Sequence, residues 1–394
     1  MELLNKRILS IDILRGLIMV IMALDHTRDF FHLGGMGSNP TNPETTTIFL
    51  FFTRWITHFC APTFLFLSGI SAYLSAQNKD KKQASNFLIK RGFWLVIFEI
   101  VFISFALTFN PTYDLVFLTV IWAIGWSMIL LGIFSKISHR LVLVIGLILI
   151  FGHDLTNYFI LPSSDTFKGG LIAVLLTTRG LAIPISPSHI FIFSYAVLPW
   201  AGVMFIGFAV GKWYNPSFDS NIRRRNLLYS GIFLLFLFAV LRYFGWYGNP
   251  TPRKDYGDLL KNVFSFLDLS KYPPSLQFFG MTLGVSMIFL SVIENVQNRF
   301  TKILMVFGKV PFFYYVMHLY LLHLIVIIVF FMSGFGIDDI KTANSPFLFV
   351  PPTFGFSLPV VYLFWLFVVV ILYKPCIWFH NYKISHSNWW LKYL

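Results

Sequence analysis

The sequence predicts an all-α fold, a polytopic integral membrane bundle of about ten transmembrane helices with the N-terminus and C-terminus both cytoplasmic. Three observations predict it. Hydrophobic residues make up 57% of the 394 and charged residues only 12%, where a soluble domain carries about a quarter. Apolar runs of spanning length follow one another with no stretch of more than about thirty residues between them, so 1–394 reads as a single transmembrane domain. The Lys and Arg residues gather in alternate short loops. The net charge of +13 therefore reads as positive-inside bias and not as a nucleic-acid surface.

The spans, in order, are 8–31, 50–76, 86–109, 114–135, 139–161, 190–213, 226–246, 275–295, 303–332 and 355–380, each near the ~20 residues needed to cross the hydrocarbon core. The first resembles a signal peptide in having Lys6 and Arg7 before an apolar run. It contains Asp12 and Arg15 and ends in Asp25-His26-Thr27-Arg28 without a cleavage pattern, so it reads as an uncleaved span. The apolar stretch 167–180 is too short to span and reads as interfacial or re-entrant. With the N-terminus inside, inner segments carry Lys6 and Arg7, then Lys79, Lys81, Lys82, Lys90 and Arg91, then Lys136 and Arg140, then Lys212 and Arg223 to Arg225, then Arg299, Lys302 and Lys309, then Lys374, Lys383 and Lys392. The first two outer loops carry no basic residue, and the later ones carry Lys168 and Arg179, then Arg253, Lys254, Lys261 and Lys271, then Lys341. The expected location is the cell (inner) membrane. The many Phe residues read as lipid-facing bulk, and Trp and Tyr near span ends as interfacial belts.

Ionisable groups inside a span cost at least ~2.5–3.5 kcal/mol at its centre, so each is a functional candidate. In this orientation His26 and Arg28 lie near the outer end of the first span, and His58 about two turns below the outer start of the second. His153 and Asp154 fall in the outer half of the fifth, His189 outside the sixth, and His318 and His323 mid-membrane to outside in the ninth. Asp12 and Arg15 are three apart and can pair, and Arg15 and His26, about three turns apart, share a face. Other readings stand beside these. Arg28 reads either as part of a site or as a side chain snorkelling to the interface. His318 reads also as an interhelical hydrogen bond, and His139 and His380 as interfacial. Cys60 and Cys376 fall at opposite depths, so neither a bridge nor a metal site is expected. The segment Leu67-Ser68-Gly69 reads as close helix packing.

The strings RILSIDILRGLIMVIMALDHTRDFF, RWITHFCAPTFLFLSGISAYL, FLDLSKYPPSLQFFGMTLG and GKVPFFYYVMHLYLLHL resemble the bacterial relatives of heparan-alpha-glucosaminide N-acetyltransferase. Pro199-Trp200 followed by GVMFIGFAVG resembles them too. The LRG motif with a histidine after it, then FLFLSG and a basic pair, is similar to the opening of the wider acyltransferase-three family. That resemblance implies a histidine acting in acyl transfer at His26, with arginines at Arg15 and Arg91. It implies a membrane acyltransferase that moves an acetyl group from cytoplasmic acetyl-CoA, as co-substrate, to an amine or hydroxyl of an extracytoplasmic sugar or glycan.

The expected catalytic residues are then His26, His58 and Asp25, with Asp25 or another carboxylate holding His26. Whether His26 or His58 is the base stays open, as does direct transfer against an acetyl-histidine route. Arg28, Lys271, His318 and His153 are expected at the acceptor, and Arg15, Lys90 and Arg91, with Lys79, Lys81 and Lys82 nearby, at the CoA phosphates. Lys271, being outside, is not explained by positive-inside bias. No metal, phosphate loop or nucleophile elbow is expected. The expected partners are membrane lipids and the sugar acceptor, not nucleic acid; self-association into a homo-oligomer stays open. The alternative is a proton-coupled transporter, although no two-half repeat is visible.

Overall fold

The computed structural model describes residues 8–178, 180–342 and 345–392. Lys6, Arg7 and Arg179, used above to orient the chain, lie outside them. The helices are α1 (Leu9–Phe31), α2 (Ile48–Thr57), α3 (Cys60–Ala76), α4 (Lys81–Phe98), α5 (Ser104–Thr108), α6 (Val120–Ser135), α7 (His139–Gly152) and α8 (Phe167–Ile172). They continue with α9 (Val197–Gly211), α10 (Ser220–Phe244), α11 (Leu259–Leu267), α12 (Leu276–Ile293), α13 (Arg299–Gly308), α14 (Pro311–Met332) and α15 (Leu358–Ser385). Strands β1 (Leu115–Leu118), β2 (Leu181–Ser186) and β3 (His189–Phe193) complete the fold.

Among the described residues eight helical stretches are long and apolar enough to cross a membrane: Ile48–Ala76, Lys81–Thr108, His139–Tyr158, Val197–Tyr214, Ser220–Phe244, Leu276–Ile293, Pro311–Met332 and Leu358–Ser385. The other two expected spans differ for identifiable reasons. Helix α1 has 23 residues, but Asp12, Arg15, Asp25, Arg28 and Asp29 interrupt its apolar character. Helix α6 has 16 residues, because the first part of the expected span 114–135 is strand β1.

That strand is the main departure from an all-α fold. β3 pairs with β1 in parallel and with β2 antiparallel, in the order β1-β3-β2. His189-Ile190-Phe191-Ile192-Phe193 is β-branched and aromatic, which suits a strand, and the expected span 190–213 becomes β3 followed by α9. A short apolar run does not distinguish strand from helix by periodicity. The outer edge of β1 is closed by side chains: Phe117 N–H donates to Ser104 Oγ at 3.0 Å, and Thr119 N–H, just past the strand, donates to Glu99 Oε1 at 2.5 Å. Backbone groups at membrane depth must find such partners.

Two further expected spans are broken. The stretch 50–76 is α2 and α3 meeting at His58-Phe59, and 303–332 is α13 and α14, with Pro311 opening the second where its missing N–H is tolerated. The short stretch 167–180 is α8 followed by one π-helical turn, Ala173–Thr177.

Helix α1 lies in the middle, against α2, α3, α12, α13, α14 and α15. Around it α3 packs on α9, α4 on α6, and α10 on α12. At several of these seams glycines leave no room for a side chain. A Cβ on Gly16 would overlap the Leu304 carbonyl and one on Gly308 the Asp12 carbonyl; Gly69 meets Met204 and Gly207 meets Phe66 in the same way. The expected close packing at Leu67-Ser68-Gly69 is therefore present, as small-residue helix crossings require. Not all Phe is lipid-facing bulk: Phe30, Phe31, Phe51, Phe66, Phe205, Phe278, Phe279, Phe307 and Phe330 are fully buried, whereas Phe233 and Phe236 of α10 are exposed. Both cysteines are free and buried.

Candidate active site

The last two turns of α1 present Asp25, His26, Arg28 and Asp29. Arg28 is three residues after Asp25, so its guanidinium reaches back to Asp25 Oδ1 at 3.1 Å, and it donates to Asp29 Oδ1 at 2.5 Å. From α2, Arg54 Nη1 donates to both oxygens of Asp25 at 2.6 Å. Arg28 is only 3% exposed, so it is a clamp between two carboxylates and does not snorkel.

A loop over 268–275 supplies Lys271 and Tyr272. Arg242 holds its start, donating to the carbonyls of Ser265, Phe266, Asp268 and Thr251 at 2.5–3.0 Å. Helix α11 leans on α2 through a Phe264–Phe51 stack with centroids 4.1 Å apart. At the far end of the loop His153 Nε2 lies 2.5 Å from the Pro274 carbonyl, and Asp154 Oδ2 accepts the Leu276 N–H at 2.7 Å. Burial pushes the Asp268 carboxyl above its ordinary range, against the opposing pull of the Thr41 hydroxyl and Arg242. Burial also pushes the Tyr272 phenol up, but Lys271 and Arg54 beside it outweigh this and hold it below its usual value.

These pieces surround a cavity of about 490 Å³, lined among others by Asp25, His26, Arg28, Asp29, Arg54, Thr119, Tyr195, Lys271, Tyr272 and Tyr315. Arg28 and Arg54 are neutralised by the two aspartates. Lys271 is 8% exposed and forms no ion pair among the described residues, which leaves the wall with one surplus positive charge.

His26 is oriented by a histidine and not by Asp25. His26 Nδ1 lies 2.7 Å from His318 Nε2, with the rings stacked at 5.0 Å. His318 Nδ1 lies 3.0 Å from the Tyr314 carbonyl. A carbonyl only accepts, so His318 Nδ1 carries its proton there. In a neutral pair His318 Nε2 then accepts from His26 Nδ1–H, and His26 Nε2 is left as a lone pair. A fixed imidazole lone pair on a cavity wall is a proton acceptor or a nucleophile.

The remaining expected residues fall elsewhere. His58 is the hinge between α2 and α3, 4% exposed; its Nδ1 has no hydrogen-bond partner among the described residues, and it packs against Phe278 without lining the cavity. His153 faces the Leu149 and Pro274 carbonyls instead of the cavity, and so supports the Lys271 loop. His318 is fully buried behind His26. At the other end of α1, Arg15 Nη1 bonds Asp12 at 3.2 Å, as its spacing predicts, and Nη2 bonds Ser71 Oγ at 2.8 Å. Arg91 is half-buried, its Nε without a hydrogen-bond partner among the described residues, within electrostatic reach of Arg15, whereas Lys90 is exposed. A second cavity of about 650 Å³ at that end is lined by Tyr73, Lys79, Lys81, His139, Asn215 and Ser217, and not by Arg15, Lys90 or Arg91.

Arg54, Asp29, Thr119, Tyr195, Tyr272 and Tyr315 are the cavity residues that sequence reasoning missed. Arg54 had a readable signal, an arginine inside an apolar span four residues before His58. Thr119 and the tyrosines had none, since such residues are common at span ends. Among the described residues no three His, Cys, Asp or Glu side chains are grouped to hold a metal ion.

A family model described as heparan-alpha-glucosaminide N-acetyltransferase, catalytic, matches residues 7–240. No curated protein matches the chain. The matched region includes Asp25, His26, Arg28, Asp29 and Arg54; Lys271 and His318 lie beyond it and join them only through the fold.

Proposed function

Since the chain belongs to the family of the heparan-alpha-glucosaminide N-acetyltransferase catalytic domain, and so to the transmembrane acetyltransferases, we propose that it transfers an acetyl group from cytoplasmic acetyl-CoA to an amine or hydroxyl of an extracytoplasmic sugar. The observation that carries this reading is His26 on the cavity wall with its Nδ1 held 2.7 Å from His318 Nε2, an arrangement that assigns the lone pair to His26 Nε2.

The acceptor must lose a proton as it attacks the thioester carbonyl, and His26 Nε2 takes it. As the imidazolium forms, its Nδ1–H stays bonded to His318, whose own Nδ1–H is satisfied by Tyr314. The same lone pair would attack the acetyl carbon in a two-step route, so the geometry serves both. The carbonyl oxygen gains negative charge on the way. Lys271, the surplus cation of the wall, supports that charge or an anionic group of the acceptor. The Asp25–Arg54–Arg28–Asp29 lattice fixes the wall in place. With the basic end facing the cytoplasm, Arg91 and the Lys79 and Lys81 side chains of the second cavity provide cations for the phosphates of CoA.

Purified protein in detergent, given labelled acetyl-CoA and glucosamine-type acceptors, should release CoA only when acceptor is present. His26→Ala should abolish release while leaving the thermal unfolding profile unchanged. No turnover with any amino sugar or sugar alcohol, together with proton-linked uptake into vesicles, would replace this reading with a transporter.

A further inference from the structure

Glu99 opens a single π-helical turn, Glu99–Ile103, between α4 and α5; such turns recur at functional sites. Its side chain is fully buried and joins none of the ion pairs of the described residues. Oε1 accepts both the Thr119 N–H at 2.5 Å and the Thr119 Oγ1–H at 2.6 Å. Oε2 has no hydrogen-bond partner among the described residues. Closing the end of β1 explains one oxygen, and a glutamine would do that equally well. An orphaned second carboxyl oxygen in an apolar interior is costly, and the fold has no use for it.

Thr119 connects this group to the cavity. Thr119 and Tyr315 both line the wall. Thr119 Oγ1 donates to Glu99, so its oxygen can accept a proton from the cavity side. The Tyr315 ring lies 6.1 Å from that of His26 and 5.5 Å from that of His318. A hydrogen-bonded step therefore runs from the cavity wall, through the Thr119 hydroxyl, to Glu99. The titratable groups on the same wall are His26, Tyr315 and Tyr272, with His318 against His26.

The proton balance of acetyl transfer to an amine supplies a use for this line. The acceptor enters as an ammonium, R–NH₃⁺, and leaves as R–NH–acetyl, so nitrogen sheds two protons. One C–N bond forms, the C–S bond breaks, and CoA sulfur takes one proton, by way of His26. The other proton must leave before attack, because an ammonium has no lone pair, and the His26–His318 pair is occupied with the first. Resting on the function proposed above, we propose that Thr119 and Glu99 form a second proton path that turns a bound ammonium acceptor into the free amine, Thr119 Oγ1 taking a proton from the cavity as it passes its own to Glu99 Oε1. Glu99 acts through Thr119 as a positioning and proton-accepting group and does not touch the substrate.

The test compares the unaltered protein with Glu99→Gln and Thr119→Val, measuring kcat/KM for glucosamine across pH. Glutamine keeps the acceptor for the Thr119 N–H, and valine keeps the carboxyl but cuts the line. Both variants should lose about tenfold or more in kcat/KM where the acceptor amine is protonated, near the low end of the effect of proton-transfer groups. The deficit should shrink as pH rises through the acceptor's own pKa, and KM for acetyl-CoA should not move. A deficit of the same size at every pH, or none, in an active enzyme overturns the path alone. Absence of acetyl transfer by the unaltered protein overturns the function and the path together.

Discussion

The two ends of α1 carry the same motif to different effect. Near its start Asp12 and Arg15 pair three residues apart at 3.2 Å, and near its end Asp25 and Arg28 pair three residues apart at 3.1 Å. The first pair is pressed under α13, where Gly16 and Gly308 leave no space for a Cβ, and it lines neither of the two cavities described above. The second faces α2 and the Lys271 loop, which stand off far enough to leave about 490 Å³ between them. An ion pair on one helix is thus a packing pin or an active-site wall according to how closely its neighbours cross. The spacing of the charges carries no information about which.

Substitutions at the two ends should separate the roles. His26→Ala should reduce acetyl transfer by about 10²–10⁴-fold, the usual contribution of a positioned acid–base group, measured as CoA release. Asp25→Ala leaves Arg54 and part of Arg28 buried without a counter-charge. A loss of about 3–5 kcal/mol is expected, read as a lower unfolding midpoint in detergent; an unchanged midpoint would mean the lattice is not structural. At the opposite end Gly308→Val should destabilise by about 1–3 kcal/mol through overpacking. The pH profile of whatever protein folds should stay as it was, since no cavity group is touched.

His318→Phe removes one hydrogen bond from His26 without removing the base. About a tenfold fall in kcat is expected, the equivalent of roughly 1.4 kcal/mol, with KM for acetyl-CoA unmoved. Lys341→Ala should matter least. Its Nζ lies 2.5 Å from Asp114 Oδ2, but the lysine side chain is 69% exposed, and exposed pairs contribute about 0–1 kcal/mol. Hydrogen bonds from Lys341, Thr112 and Asn110 hold the Asp114 carboxyl below its ordinary range. A depressed carboxyl stabilises the fold above its unfolded pKa, and that contribution fades as pH falls below it. The difference between Lys341→Ala and the unaltered protein should therefore be present at neutral pH and vanish in acid.

Much of the site was legible one helix at a time. A buried charge in an apolar run is costly wherever it sits, so Asp25, His26 and Arg28 stood out before any contact was known, and Lys271 stood out as an outer lysine that positive-inside bias does not explain. Partners were not legible. A carboxylate was expected to hold His26 because Asp25 is its neighbour in the chain, yet adjacent residues on a helix point some 100° apart, and Asp25 turns to Arg54 instead. His153 was expected at the acceptor but faces the Pro274 carbonyl, a contact spanning 121 residues.

By itself, then, the sequence determined the membrane class, most of the helices, the Gly69 seam and which side chains had to be explained. Each of these follows from local composition and from the cost of polar groups in hydrocarbon. Only the tertiary structure decided that 115–118 and 189–193 are strands, because a strand exists through its hydrogen-bonding partner and a short apolar run is ambiguous without one. It alone brought His318 to His26 across 292 positions and Lys271 into the same wall. Helical periodicity states which face of a helix is polar; which other helix meets that face depends on how closely the backbones cross, and at α1 that is decided by glycines and by a loop anchored on Arg242.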